Sequence, residues 1–198
     1  MLCVLVPSVA EAGVSVMGGL THQKDVEPGT TYKGQIILKN SSPQPQEVKI
    51  YQTDYTFCFD GSNMYGKPGE MERSNANWIT FNPHRVVISP NDVTTVSYTV
   101  AVPNEPNLIG TYWSMIMVEG IAKTSPESSL LDRKKTNLGI TQVIRYGVQM
   151  ITHISDTGER QLKFLDTKLL RNQQKRILHV DIENIGQRWL RPVLWVEL

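Results

Sequence analysis

Apolar and polar positions alternate along most of this chain. A β-strand shows its side chains to opposite faces in turn, so a strand with one buried face repeats apolar residues at every second position. Val14 and Val16 begin such a row, and Tyr32, Ile36 and Leu38 continue it. Val48 and Ile50, Ile79 and Phe81, and Val86 and Ile88 follow. The cleanest row is Val96, Tyr98, Val100 and Val102, with Thr95, Ser97, Thr99 and Ala101 between them. Tyr112 to Val118 is apolar on nearly both faces, as a strand covered on two sides would be. Leu138, Ile140, Ile144, Tyr146, Val148 and Met150 close the set.

Turn chemistry falls between the rows: Pro28-Gly29, Asn40 to Pro45, Asp60-Gly61, Pro68-Gly69, Pro90-Asn91-Asp92 and Pro103 to Gly110. Pro presets φ, Gly admits positive φ, and Asn or Asp mimics a turn with its side chain. No stretch holds a helical apolar period. The pattern predicts an all-β fold, an immunoglobulin-like seven-stranded β-sandwich. Between Glu119 and Asn137 a polar segment with Arg133, Lys134 and Lys135 reads as a long loop before the seventh strand. After Ile154 the alternation restarts with Leu162 and Phe164, then Leu178, Val180 and Ile182, then the apolar run Trp189 to Leu198. Three or four strands are too few to cover a sandwich core, so this part is expected to be a partial second β-sandwich that continues past Leu198. The expected division is residues 13–151 for the first domain and 152–198 for the second.

Residues 1–12 differ from the rest. A short apolar run, Met1 to Val6, leads to Ala10-Glu11-Ala12, whose small outer residues suit signal peptidase. The run is far short of the roughly 20 apolar residues that span a bilayer. It is read as the remnant of a secretory signal peptide cut after Ala12, placing the protein in the periplasm or at the cell surface, with no membrane insertion after cleavage. Cys58 is then the single thiol, expected as a small buried hydrophobe in a domain without an internal disulfide.

Composition narrows the function. With 198 residues, 40% of them hydrophobic, 20% charged and a net charge of +1, a packed core is expected and a nucleic-acid partner is not. His22, His84, His153 and His179 are scattered without metal-ligand spacing, and no phosphate loop or G-x-S-x-G elbow occurs. No cofactor, metal or catalytic residue is expected, and the chain is read as not an enzyme. The competing reading, a hydrolase, would use the acidic stretch from Asp54 to Glu72. Trp113 is expected in the core, whereas Trp189 and Trp195 belong to the second part.

The order of elements resembles the PapD-like periplasmic pilus chaperones: seven strands, a long polar loop before the last, an alternating seventh strand, then a second sandwich. Val86-Val87-Ile88-Ser89-Pro90, Val93 to Pro103 and Gly110-Thr111-Tyr112-Trp113 are also similar to Ig-like envelope proteins such as the WxL-interacting, peptidoglycan-binding family. The first resemblance implies a protein partner, a pilus or envelope subunit held by strand addition. The chaperone's seventh strand pairs with the subunit's open edge, and alternate side chains fill its groove. Mapped here, Leu138, Ile140 and Ile144 are the inserted side chains, with Gln142 a polar interruption. The same residues could instead bury into their own sandwich. Those chaperones also hold the subunit's terminal carboxylate between two basic side chains, one on the first strand and one on the seventh. Arg145 stands for the second, but the run Val14 to Leu20 has no Lys or Arg and Lys24 follows it. The alternative role is a structural or adhesive Ig-like surface module that binds glycan or another wall protein.

Overall fold

The computed structural model describes residues 13–58, 60–123, 125–130, 143–172 and 175–195. Ten strands form a two-layered sandwich: β1 Val14–Met17, β2 Thr21–Val26, β3 Thr31–Asn40, β4 Gln46–Phe57, β5 Asn63–Gly66, β6 Ile79–Asn82, β7 Arg85–Ile88, β8 Val93–Ala101, β9 Gly110–Ile121 and β10 Arg145–Ile154. One sheet runs β1-β3-β8-β6. The other runs β2-β10-β9-β4-β5, with β7 also paired to β4. A separate hairpin, β11 Leu162–Asn172 and β12 Lys175–Asn184, follows. The architecture is all-β and immunoglobulin-like.

The alternating rows become the core. Ile36 and Leu38 of β3, Val96 and Val100 of β8, Ile116 and Val118 of β9 and Val148 of β10 are all buried in one cluster between the sheets. On β10 the even positions point inward: Tyr146 packs against the core, and Val148, Met150 and Ile154 lie within it. β10 continues to Ile154, so the expected division after residue 151 falls inside a strand whose last side chain belongs to the first core. Cys58 corrects the sequence reading, being free and half-buried at the end of β4 rather than buried.

The first apolar run splits in two. β1 pairs antiparallel with β3 in one sheet, and β2 pairs parallel with β10 in the other. The break falls at Gly18, whose φ of +88° is a conformation that side-chain-bearing residues avoid. A chain that changes sheets ties the two layers together at one edge.

Candidate functional site: the open half-edge of β10 and the outer face beside it

Among the described residues, β10 has two neighbours along only part of its length. Its register with β9 covers Arg145 to Ile154, whereas its parallel register with β2 begins at Gln149. The Gly120 amide donates to the Ile144 carbonyl, so even residues of this segment aim their backbone groups at β9. Odd residues aim the other way, as the Gln149 amide shows by donating to the Leu20 carbonyl at 2.8 Å. Among the described residues, no strand pairs with the side of β10 toward which the backbone groups of Arg145 and Gly147 point. An unpaired strand edge is a template for another strand.

The outer face next to this edge is charged. Lys49, Glu119 and Arg145 stand directly opposite one another on β4, β9 and β10. Glu119 accepts from Arg145 Nε at 2.7 Å and from Tyr51 Oη at 2.7 Å, with Lys49 Nζ 3.4 Å away. Burial alone would raise the Glu119 pKa, but the hydrogen bonds from Tyr51 and Arg145 and the nearby cations outweigh it and hold it below the ordinary value. Burial, reinforced by the bond to Glu119, pushes the Tyr51 hydroxyl up to about 12. The bond to Glu119 also raises Arg145 above its usual value. The guanidinium is therefore charged and oriented, half exposed, and partly neutralised on one side.

Further along the same face the surface turns aromatic. Tyr55, Met115 and Met117 form a small buried cluster with Tyr51 and Trp113 packed against it. Trp113 thus lies on the opposite side of the sheet from the main core, its indole N–H donating to the Tyr55 carbonyl at 3.0 Å. The sign in the sequence was the doubly apolar Tyr112 to Val118 segment, which serves two clusters at once. Where this face meets the residues after β12, Tyr55, Trp113, Ile151 and Trp189, together with Arg73 and Arg188, line a cleft of about 250 Å³.

Of the sequence-derived contact residues, Leu138 and Ile140 lie outside the described residues. Ile144 is half-buried immediately before β10, and Arg145 opens the strand. Lys24 stands on β2 beside Thr152 of β10. Thr152 lies seven positions beyond Arg145, so Lys24 and Arg145 are about 23 Å apart along the strand and do not share one carboxylate. Sequence reasoning missed the Glu119 partners, because they meet through sheet register alone.

The root of the long loop is held by a buried carboxylate. Glu47 accepts from Arg85 Nε at 2.7 Å, from the Ser129 amide and hydroxyl at 2.8 and 2.7 Å, and from the Ser128 hydroxyl at 3.1 Å. The acidic stretch proposed for hydrolysis is occupied differently. Asp54 is fully buried and accepts from the amides of Gly69 and Met71 and from the Ser74 hydroxyl, while exposed Asp60 caps a turn at Ser62. Among the described residues no cluster of His, Cys, Asp and Glu is arranged to hold a metal, and no helix is long and apolar enough to cross a membrane.

No family model matches the chain, and no curated protein matches it. Solved structures do. One is a chain of the chaperone–tip adhesin complex of CFA/I fimbriae, 12% identical over 89% of this chain and 68% of that one, with a TM-score of 0.50. Another is from the CsuC–CsuE chaperone–tip adhesion subunit pre-assembly complex of the archaic chaperone-usher Csu pili of Acinetobacter baumannii, 13% identical over 87% and 73%, also at 0.50. The fold is shared with pilus chaperones. At such identities the likeness establishes architecture, and it bears on the first of the two resemblances, not on the WxL-interacting one.

Proposed function

We propose that this protein is a non-catalytic, chaperone-like protein of the periplasm that binds a pilus or envelope subunit by β-strand addition. The observation that carries the reading is the half-edge of β10 at Arg145 and Gly147, where β9 lies on one side and no described strand on the other. A partner strand laid there would gain main-chain hydrogen bonds, with alternate side chains giving selectivity. Leu138, Ile140 and Ile144 are the proposed apolar contacts, sharing one alternation with core-facing Tyr146 and Val148. Arg145 is the proposed polar contact, its charge already oriented by Glu119. The shared architecture with chains from two chaperone–adhesin complexes supports the reading; a secretory signal in residues 1–12 is part of the same proposal.

The test is complex formation with purified pilin-type subunits, followed by size-exclusion chromatography. A stable complex is expected, lost when Ile140→Glu and Ile144→Glu are combined without change in circular dichroism. A complex that survives both substitutions, or no complex with any such subunit, removes the proposal. The adhesive alternative draws on one observation, Trp113 and Trp189 in one cleft. It predicts glycan binding that Trp189→Ala abolishes, read by isothermal titration calorimetry.

A further inference from the structure

The sandwich and the β11–β12 hairpin meet through a short hydrogen-bonded junction. At the start of β9, beyond the reach of β4, the Thr111 amide donates to the Gln187 carbonyl at 2.9 Å. The Thr111 hydroxyl is fully buried and has two neighbours: the Trp189 amide at 3.0 Å and His153 Nδ1 at 2.8 Å. The amide can only donate. The hydroxyl therefore accepts from Trp189 and has its own proton free to give to His153, provided that Nδ1 carries no proton. The chain of bonds runs from Trp189 in the second part, through Thr111 on β9, to His153 on β10.

We propose that His153 is a proton-sensitive lock on this junction, closed when its imidazole is neutral and loosened when it is protonated. An imidazolium has N–H groups at both ring nitrogens and no acceptor. Thr111 would then receive two donors and have no outlet for its own proton in a site without exposed surface. The charges around the ring oppose protonation further. Arg188, after β12, is buried, with Nη1 donating to the Ser155 carbonyl at 2.7 Å. Arg160, on the connection to the hairpin, and Arg191, stacked on Trp189, line the same side with Arg188. Against these three cations stand Asp25 of β2, 3.8 Å from Arg188, and Asp156, which is paired to Arg160. Burial first, then Arg188 and Arg160, lower the His153 pKa, with Asp25 opposing. The Trp189 ring stacks at 6.4 Å from the imidazole, so a charge arising there acts on the residue that closes the junction.

Because the folded-state pKa lies below the ordinary 6.5, the stabilisation is present above that value and is lost as the pH falls through the lowered one. The experiment follows the full chain by NMR from about pH 8 to about pH 5, reading the His153 ring shift and amide exchange corrected for intrinsic rate. The protection of the Trp189 and Thr111 amides should drop by about tenfold as His153 titrates, while Val96 in the core keeps its own. His153→Asn should flatten this pH dependence, and Thr111→Val, which removes the acceptor of the Trp189 amide, should give low Trp189 protection at every pH. Constant protection of Trp189 through the His153 titration overturns the proposal. So does a drop that persists in His153→Asn, or a histidine that stays neutral until Val96 also exchanges.

Discussion

Glu47 shows how a single side chain can organise a stretch of chain far from it. It lies at the start of β4, only 2% exposed, yet its acceptor sites are filled by Arg85 from β7 and by Ser128 and Ser129 from the long loop. Burial alone would raise its pKa; the bonds from Ser129, Arg85 and Ser128 outweigh it and hold the carboxyl at about 2. The stabilisation is present above the ordinary carboxylate value of 4.5 and is lost as the pH falls toward about 2. Glu47→Gln should lower the unfolding free energy at neutral pH by about 2 kcal/mol and flatten the acid limb of the stability curve, measured by urea titration. Little of this was legible in the sequence. Glu47 sits in a Gln-Glu-Val stretch that alternation assigns to an outward position, and its serine partners are more than 80 residues away in the loop. Trp113 is a similar case. Its aromatic bulk argued for the core, and only the pairing of β9 between β4 and β10 shows that it serves the other face.

At the scale of elements, β10 is two strands in one. Among the described residues, it is held on both sides from Gln149 onward and on one side from Arg145 to Val148. Hydrogen exchange should divide it the same way. The Arg145 and Gly147 amides are expected to exchange about a hundredfold faster than that of Gln149, which donates to Leu20. Addition of a strand-donating partner should slow the first two and leave Gln149 unchanged. Equal protection along the strand would mean that the half-edge is already covered. The alternation from Tyr146 to Met150 was readable because burial on one face enforces a period of two. The division of the first run into β1 and β2 was not, since Val14, Val16 and Val26 keep apolar character in both sheets. Gly18 was the available clue, and its meaning depends on which strand lies on either side.

For the molecule as a whole, the contrast is between a closed sandwich and an open hairpin. In β11–β12, Phe164 stands opposite Ile182 and Leu169 opposite Leu178, and all four are 40% exposed or more. A contiguous apolar face of this kind drives association. Phe164→Ser combined with Leu169→Ser should reduce binding of a hydrophobic dye severalfold and reduce sedimentation-detected self-association, while moving sandwich stability by about 0.5 kcal/mol or less. An undiminished dye signal would place the apolar surface elsewhere.

What the amino-acid order determined by itself is the kind of backbone and the face each residue presents: strands, the turns between them, and a core built from alternate positions. These follow from interactions within a few residues, where side-chain direction and turn chemistry are set. What only the tertiary structure decided is adjacency. Which strand lies beside which, where the first run changes sheets, how Lys49, Glu119 and Arg145 form one row, and how Trp189 reaches His153 through Thr111 are all matters of register between distant segments. Many alternating strands are interchangeable in local pattern, so their order is settled only when the two layers close around a shared core and buried polar groups must find partners.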